Sequence, residues 1–157
     1  MIKITDINNF IYDFDGIMTN NKFILNSNGT ESVYLNRSDG LAIQYFRNKG
    51  INQMIISTEE NEIVKIRAKK LNIRCYNAIN NKKDKIFELK KNKSLIGPIL
   101  FVGNDNNDLD IMKISDLKVC PADSSKEIKK ISDIVLKVNG GDGVIRELMN
   151  VYNEANS

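Results

Sequence analysis

Two aspartates end an apolar run near the start of the chain. In FIYDFDGIMT, Asp13 and Asp15 are separated by one residue, and Gly16 follows at once. On an extended segment, residues i and i+2 project to one side, so both carboxylates face one point and repel each other. A hard cation offsets that repulsion, and Mg²⁺ binds one or two carboxylates together with water and phosphate oxygens. The pair suits phosphoryl transfer, with one aspartate as nucleophile and the other as acid and base. A strand end followed by an Asp-Gly turn accounts for these residues about equally well.

A second acidic segment follows another apolar run. In ILFVGNDNND, the residues Asn104, Asp105 and Asp108 come directly after ILFVG. Their side-chain oxygens could bind the same metal ion, either directly or through water. Asn and Asp also cap helices, so a helix start is the competing interpretation, and both can hold together.

Two further residues could hold a phosphate group. Ser57 ends the apolar run INQMII, where a hydroxyl beside free helical N–H groups forms an anion site. A capping box with Glu60 is the alternative. Lys85, in KKDKIFEL, could neutralise a phosphate oxygen, with Lys82 and Lys83 as competitors for that role.

Strand-like and helix-like segments alternate along the chain, which predicts an α/β fold. Parallel strands joined by helices form a Rossmann-like sheet with helices on both faces, and ligands bind at the carboxyl ends of the strands. The candidate side chains gather at those ends. A β-hairpin is predicted at about 22–35, after the first strand, around the turn SNGT. The predicted strands are FIYDF, INQMIIS, IRCYN, GPILFVGN, LKVCPA and DIVLKV, and the predicted helices are SDGLAIQYFRNKG, TEENEIVKIRAKKLN, DKIFELKKN, NDLDIMKIS, SSKEIKKIS and GGDGVIRELMNVYNE.

Composition narrows the function. The chain has 157 residues, which suits one domain over 1–157. A net charge of +3 with dispersed Lys and Arg does not favour nucleic acid. No apolar stretch is long enough to span a membrane, and no signal peptide is present, so we expect a cytoplasmic protein. The absence of histidine excludes Ser-His-Asp catalysis and His-ligated zinc. Cys75 and Cys120 are too few for a disulfide framework.

Taken together and in order, DFDGIMT, Ser57, Lys85 and GNDNND resemble the four motifs of the haloacid dehalogenase superfamily. The resemblance implies a phosphatase with Asp13 as nucleophile and Asp15 as acid and base. It also implies Mg²⁺ held by Asp13, the main-chain carbonyl of Asp15 and the acidic segment with Asn104, Asp105 and Asp108. Ser57 and Lys85 would then bind the phosphate.

Spacing within the chain narrows the resemblance further. Only the hairpin separates the first motif from the next helix, which leaves no room for a cap domain. The chain is similar to a capless branch containing 3-deoxy-manno-octulosonate 8-phosphate phosphatases, N-acylneuraminate 9-phosphate phosphatases and domains of N-acylneuraminate cytidylyltransferases. This implies a homotetramer with hairpins in its core, and a C-terminal tail at about 140–157 that lies over a site, its own or a neighbour's. Arg146 and Thr19 are the substrate contacts expected on this basis.

A pair of basic residues bears on the choice of substrate. Arg67 and Lys70 lie three apart on one helix face and suit a sugar carboxylate, as a similar pair does in the 9-phosphate enzymes. They favour a nonulosonate 9-phosphate, with octulosonate 8-phosphate as the alternative. The octulosonate enzymes usually carry Ser-Gly-Arg where this chain has Ser57-Thr58-Glu59.

Asn104 stands where the family has its first acidic metal ligand. A neutral amide predicts weaker metal binding. It also leaves open a weakly active or non-catalytic module that partners a cytidylyltransferase. A phospho-acceptor signalling domain is a third reading, against which the hairpin and the DxDGxxT spacing count.

Overall fold

A six-stranded parallel sheet forms the centre of the computed structural model, which describes residues 2–157. Its order is β5-β4-β1-β6-β7-β8, and β1 pairs with β4 and β6 so that Tyr12 lies opposite Ile55 and Val102. This confirms the predicted Rossmann-like α/β fold. Within the described residues the strands are β1 Asn9–Tyr12, β2 Ile24–Leu25, β3 Glu31–Ser32, β4 Asn52–Ile56, β5 Arg74–Tyr76, β6 Ile99–Val102, β7 Leu117–Cys120 and β8 Ile134–Val135.

Six α-helices, counted over the same residues, cover both faces of the sheet. They are α1 Arg37–Asn48, α2 Ile63–Leu71, α3 Lys82–Lys91, α4 Leu109–Lys113, α5 Lys126–Ile131 and α6 Val144–Ala155. Side chains alternate along β1: Phe10 and Tyr12 pack in the core layer with α1, α2 and α6, and Ile11 packs with α3, α4 and α5. Because both faces are covered, every residue of β1 is buried, which explains its continuous apolar run.

The predicted hairpin is present between β1 and α1. Strands β2 and β3 are antiparallel, with Ile24 opposite Ser32 and Leu25 opposite Glu31. Their apolar side chains face outward, and Phe23 and Leu25 are 56% and 66% exposed. Between β1 and α1 the chain forms only this hairpin and its flanking loops, in agreement with the absence of a cap domain.

Helices α1 and α2 begin earlier and later, respectively, than the sequence predicts. Helix α1 is capped by Asn36, whose side chain accepts a hydrogen bond from Ser38 N, so the helix begins at Arg37, one residue before the predicted segment SDGLAIQYFRNKG. Helix α2 begins at Ile63, because Glu59 Oε1 accepts a hydrogen bond from Asn61 N and folds the preceding residues into a turn.

Helix α6 is part of the core of its own chain, and a contact of this segment with a neighbour's site stays a prediction. Val144, Ile145 and Leu148 are fully buried, and the helix packs on α1. Asp39 of α1 caps it from a distance: Asp39 Oδ1 accepts hydrogen bonds from Ile145 N and Arg146 N at 3.0 and 3.1 Å. No helix among residues 2–157 has both the length and the apolar character that crossing a bilayer requires.

Candidate active site

Three neighbouring strands deliver the predicted side chains to one edge of the sheet. Asp13 follows β1, Ser57 follows β4, and Asn104 comes shortly after β6; these strands are adjacent in the order β4-β1-β6. A cavity of about 410 Å³ opens at this edge. It is lined by Asp13, Asp15, Asn21, Ser57, Thr58, Asn104, Asp105, Asn106 and Asn107. Residues of the first, second and fourth sequence motifs therefore converge on one polar cavity.

Lys82 lies between two buried carboxylates. Its Nζ donates hydrogen bonds to Asp13 Oδ1 and Asp108 Oδ1, both at 2.7 Å, and the three side chains are at most 6% exposed. Burial lowers the pKa of Lys82, but the two carboxylates raise it, and the net shift is upward. Burial, helped by repulsion from Asp108, raises the pKa of Asp13 to about 7 although Lys82 opposes the shift. One cation against two carboxylates leaves a negative charge that a bound cation can balance.

The structure corrects the choice of Lys85 for the phosphate-binding role. Lys85 Nζ lies 2.9 Å from Glu88 Oε1 and 4.5 Å from the centroid of the Tyr76 ring. It sits about one helical turn beyond Lys82, so it has risen some 4.5 Å from the strand ends. Lys82 is the first residue of α3, directly after the Asn81 cap, and that position keeps it at the sheet edge. The position of the Asn81 cap is the sequence signal that favours Lys82 over Lys85 for the phosphate-binding role.

Asp108 serves Lys82 and the main chain, which argues against the predicted role as a direct metal ligand. Its Oδ1 accepts from Lys82, its Oδ2 accepts from Asn104 N at 3.0 Å, and the side chain is fully buried. Asp105 is exposed and lines the cavity, where its Oδ1 accepts from Asn106 N. Asp105 therefore has the predicted capping role, and its role as a metal ligand stays a prediction.

Asp15 lies in a tight turn held together by Thr19. Thr19 Oγ1 donates to Asp15 Oδ1 at 3.3 Å and accepts from Gly16 N at 3.2 Å. Thr19 has no exposed surface, so it cannot contact a substrate. This corrects the substrate contact expected from the resemblance: the role of Thr19 is to hold Asp15 in place. Burial, followed by repulsion from Glu59, raises the pKa of Asp15. A carboxyl group with a raised pKa suits proton donation.

Asn104 meets the two aspartates at the centre of the site. One terminal atom of its amide lies 3.0 Å from the main-chain O of Asp15 and 3.1 Å from Asp13 Oδ2. As a nitrogen, this atom donates hydrogen bonds to both oxygens; as an oxygen, it joins them in a cluster of three. Oxygens that share one Mg²⁺ at about 2.1 Å in octahedral geometry lie about 3.0 Å apart, so the spacing fits that ion.

The candidate metal site is built from mixed oxygen donors and not from a cluster of acidic side chains. Among residues 2–157, no group of three or more His, Cys, Asp or Glu side chains is placed to hold a metal ion. Here the ligands would be one carboxylate, one main-chain carbonyl and one amide, from Asp13, Asp15 and Asn104. All three are hard oxygen donors, which Mg²⁺ prefers.

Ser57 is buried at the end of β4 and lines the cavity. Its Oγ accepts a hydrogen bond from Glu59 N at 3.1 Å, which leaves the hydroxyl proton available to an anion. Since α2 begins only at Ile63, the capping box between Ser57 and Glu60 does not form.

The basic residues predicted to bind substrate lie outside this cavity. Arg67 and Lys70 line a separate groove of about 790 Å³ between α1 and α2, and Arg67 Nη2 donates to Asn36 O at 3.1 Å. Arg146 is exposed on α6 and does not line the catalytic cavity. Helix α2 packs beside α1, and this groove between the two helices is separate from the catalytic cavity. The structure of a single chain therefore does not bring the three residues to the carboxylates.

Comparisons with known proteins agree with this geometry. A scan of protein-family models found no match. A HAD family hydrolase from Streptomyces avermitilis MA-4680 superposes with a TM-score of 0.91 at 33% identity, over 100% of this chain and 92% of that one. The Moraxella catarrhalis 3-deoxy-D-manno-octulosonate 8-phosphate phosphatase, solved with magnesium, phosphate and KDO, gives a TM-score of 0.89 at 27% identity, over 96% and 88%.

Curated sequences give the same result. The 3-deoxy-D-manno-octulosonate 8-phosphate phosphatase KdsC of Escherichia coli BL21-DE3 is 29% identical over 151 residues, which cover 94% of this chain and 80% of that protein. These similarities cover 94% or more of this chain. They support Mg²⁺ as the cofactor. The chain belongs to the haloacid dehalogenase superfamily, as a phosphoric monoester hydrolase of the capless type that resembles the octulosonate 8-phosphate phosphatases.

Proposed function

We propose that this protein is a Mg²⁺-dependent phosphatase that hydrolyses a phosphorylated sugar acid. The first candidate substrate is 3-deoxy-D-manno-octulosonate 8-phosphate. The observation that carries the proposal is the cluster of Asp13, Asp15, Asn104 and Lys82 at adjacent strand ends, in a chain similar to octulosonate phosphatases over nearly its full length. Asp13, the main-chain carbonyl of Asp15 and Asn104 would hold the metal ion. A bound Mg²⁺ supplies positive charge to the phosphoryl oxygens.

The side chains account for both halves of the reaction. An oxygen of Asp13 attacks phosphorus, the bond from phosphorus to the sugar oxygen breaks, and Asp15 gives its proton to that oxygen. Asp15 then takes a proton from water, which attacks the phosphoryl group on Asp13 and releases inorganic phosphate. Lys82 and the Ser57 hydroxyl offset the negative charge of the transferring group. The raised pKa of Asp15 suits the first proton transfer.

A nonulosonate 9-phosphate is the second candidate substrate. Glu59, in place of the arginine usual in the octulosonate enzymes, lines a cavity of about 240 Å³ beside Asp15. An acidic side chain there would bind hydroxyl or amide groups of a sugar better than its carboxylate. A carboxylate contact by Arg67 and Lys70 would require that these residues approach the site of a neighbouring subunit, in the homotetramer that we propose for this protein.

A phosphate-release screen tests the proposal. Purified protein with Mg²⁺ is incubated with octulosonate 8-phosphate, with nonulosonate 9-phosphates and with neutral sugar phosphates. Turnover of the eight-carbon acid at least tenfold above the neutral sugars supports the first substrate, and the same preference for a nine-carbon acid supports the second. Turnover of neutral sugar phosphates alone contradicts a sugar-acid substrate.

The uncharged Asn104 at the metal site supports one alternative function, as a module that partners a cytidylyltransferase. In a chain that partners an N-acylneuraminate cytidylyltransferase, an uncharged ligand at the metal position would be tolerated because turnover is secondary. Co-purification of the two proteins, with turnover appearing only in Asn104→Asp, supports that assembly role. Robust turnover by the native chain contradicts it.

A further inference from the structure

A glycine turn near the start of α6 contacts the loop that carries Asp15. We call residues 13–20 the catalytic loop. Gly141 N donates a hydrogen bond to Ile17 O at 3.0 Å, and Gly140 N donates one to Asp123 Oδ1 at 2.9 Å. A Cβ on Gly140 would overlap Gly16 O and lie 2.7 Å from Gly16 C. The two segments are in main-chain contact, which only glycine permits at residue 140.

Gly16 is also close to Asn104. Gly16 has φ of +79°, and a Cβ there would lie 2.6 Å from Asn104 Cγ. Gly16 is therefore confined both by Gly140 and by the amide of Asn104. The residue before it, Asp15, supplies both the proposed proton donor and the main-chain carbonyl that faces Asn104.

We propose that the turn Gly140–Gly141, anchored by Asp123, positions the catalytic loop. These are positioning residues and not catalytic ones, because none of them lines the catalytic cavity. By pressing Gly16 toward Asn104, the turn fixes the distance between the Asp15 carbonyl and the Asn104 amide. This inference rests on the proposed function for the effect on turnover, whereas the effect on metal binding does not depend on it.

The contacts of Asp123 indicate that it positions the glycine turn and contributes little to overall stability. Asp123 is exposed, and its Oδ1 accepts from Gly140 N across 17 positions of sequence. An exposed side chain with one such bond adds little to the core, so its removal should leave the fold intact. Asp123 also follows β7, one strand further along the sheet from β6. The turn is thus fixed to the same sheet edge as the catalytic residues.

The first experiment compares Asp123→Ala with Asp123→Asn. The asparagine keeps an Oδ1 acceptor for Gly140 N, and the alanine does not. We expect kcat for octulosonate 8-phosphate to fall about tenfold in Asp123→Ala, with KM within about twofold of wild type, because loss of orientation acts on the chemical step. The Mg²⁺ Kd from calorimetry, with no substrate present, should rise about threefold. Asp123→Asn should restore both values to within about twofold of wild type.

The second experiment places a methyl group in the contact. Gly140→Ala forces the turn and the catalytic loop apart, and we expect kcat to fall about a hundredfold and amide hydrogen exchange at residues 15–20 to accelerate. Gly50→Ala is the control for a general loss of stability: its φ of +76° gives the added methyl a backbone cost, and no atom lies within 4 Å of that methyl.

Each result decides between the alternatives. Equal kcat, Mg²⁺ affinity and loop exchange in wild type, Asp123→Ala and Gly140→Ala overturns the proposal. So does a loss of stability in Gly140→Ala that Gly50→Ala matches, with exchange unchanged at residues 15–20. If the wild type turns over no sugar phosphate, the proposed function fails. Weakened Mg²⁺ binding in Asp123→Ala, reversed in Asp123→Asn, would still support the positioning role in that case.

Discussion

Lys82 lies between two buried carboxylates that would otherwise repel each other. Without it, Asp13 and Asp108 would be buried with no cation within hydrogen-bonding distance. Removing one partner of a buried ion pair costs about 3–5 kcal/mol, far more than breaking an exposed pair. The same lysine donates a hydrogen bond to Asp13, the residue that we propose as nucleophile, so its loss acts on both stability and chemistry.

A matched pair of lysine variants tests that assignment. We expect Lys82→Met to lower the free energy of unfolding in EDTA by about 3 kcal/mol and to lower kcat by about 10² or more. Lys85→Met removes a partly exposed ion pair with Glu88 and should leave both within about twofold in rate and 0.5 kcal/mol in stability. Urea unfolding and phosphate release measure the two effects. Equal losses in both variants would reject Lys82 as the phosphate-site lysine.

Asn104 determines how much charge the metal site carries. Asn104→Asp adds a carboxylate 3.1 Å from Asp13 Oδ2, so the metal-free protein should lose stability through like-charge repulsion. The Mg²⁺ Kd should fall about tenfold, because ligand charge raises affinity for hard cations. Thermal unfolding with and without Mg²⁺ and calorimetry measure the change. Asn106→Asp places the same charge at the cavity rim and serves as the control; an equal gain there would contradict a specific role for Asn104.

The nucleophile prediction is the simplest to check. Asp13→Asn keeps the shape and a hydrogen-bond acceptor for Lys82 but removes the attacking oxygen's charge. We expect turnover to fall by about 10³ or more, with the far-UV circular dichroism spectrum unchanged. Activity within tenfold of wild type would show that Asp13 is not the nucleophile.

Residue types and spacing were enough to predict Asp13, Asp15, Ser57 and Asn104 at one edge of the sheet. The prediction relied on parallel strands, whose carboxyl ends meet at that edge. Lys85 was wrongly chosen because a lysine within a helix has no periodic signal, and only the exact helix start separates it from Lys82. Thr19 was also misassigned from residue type alone: a threonine can contact a substrate, but the hydroxyl of Thr19 is hydrogen-bonded within the turn around Asp15.

Helix α6 depends on a buried carboxylate that it does not itself contain. Asp39 lies in α1, is 1% exposed, and accepts from two main-chain N–H groups at the start of α6. A negative charge suits a helix N-terminus. Burial nevertheless raises the pKa of Asp39 to about 6, with the α6 N–H groups and Arg67 opposing the shift. Packing of α6 on α1 is therefore sensitive to pH.

The raised pKa of Asp39 makes the folded protein less stable as pH rises. The folded protein holds the Asp39 proton more tightly than the unfolded chain, whose pKa is near 3.8. Stability from this group is therefore greatest below pH 3.8 and is lost as pH rises through about 6. Between pH 4.5 and 7.5 the loss should be on the order of 2 kcal/mol. Asp39→Asn keeps the acceptor for α6 and should flatten the curve by that amount in urea unfolding. Parallel curves would remove Asp39 as the cause.

Helices and strands were predicted well where the apolar pattern was strong and less well at their ends. The start of α2 could not be read from TEENEIV, because the Glu59 side chain competes for a main-chain N–H group that a helix would use. Helix α6 was expected to extend over a site. Its apolar face was visible in the sequence, but its partner α1 lies about a hundred residues earlier, and only the fold brings them together.

The exposed apolar hairpin bears on assembly. Four side chains on or beside it are at least half exposed: Phe23, Ile24, Leu25 and Tyr34. Apolar groups clustered in this way usually mark an interface. We expect them to meet in the homotetramer that the family resemblance implies, and Leu25→Asp to shift the protein toward monomer by analytical ultracentrifugation. Asn28→Asp, in the exposed turn of the same hairpin, adds the same single negative charge without removing an apolar side chain and serves as the control. A wild type that is monomeric at 100 times the assay concentration would contradict this assembly.

The contact between Gly140 and Gly16 also has a consequence for the order of synthesis. On the ribosome, Asp13 and Asp15 emerge early, while the turn that contacts their loop and the helix that follows it emerge more than 120 residues later. Domains fold as units once their chain is available, and the last core face here is supplied by α6. A nascent or prematurely released fragment carries the reactive aspartates without the loop being held. Phosphatase activity should therefore appear only when translation has passed α6.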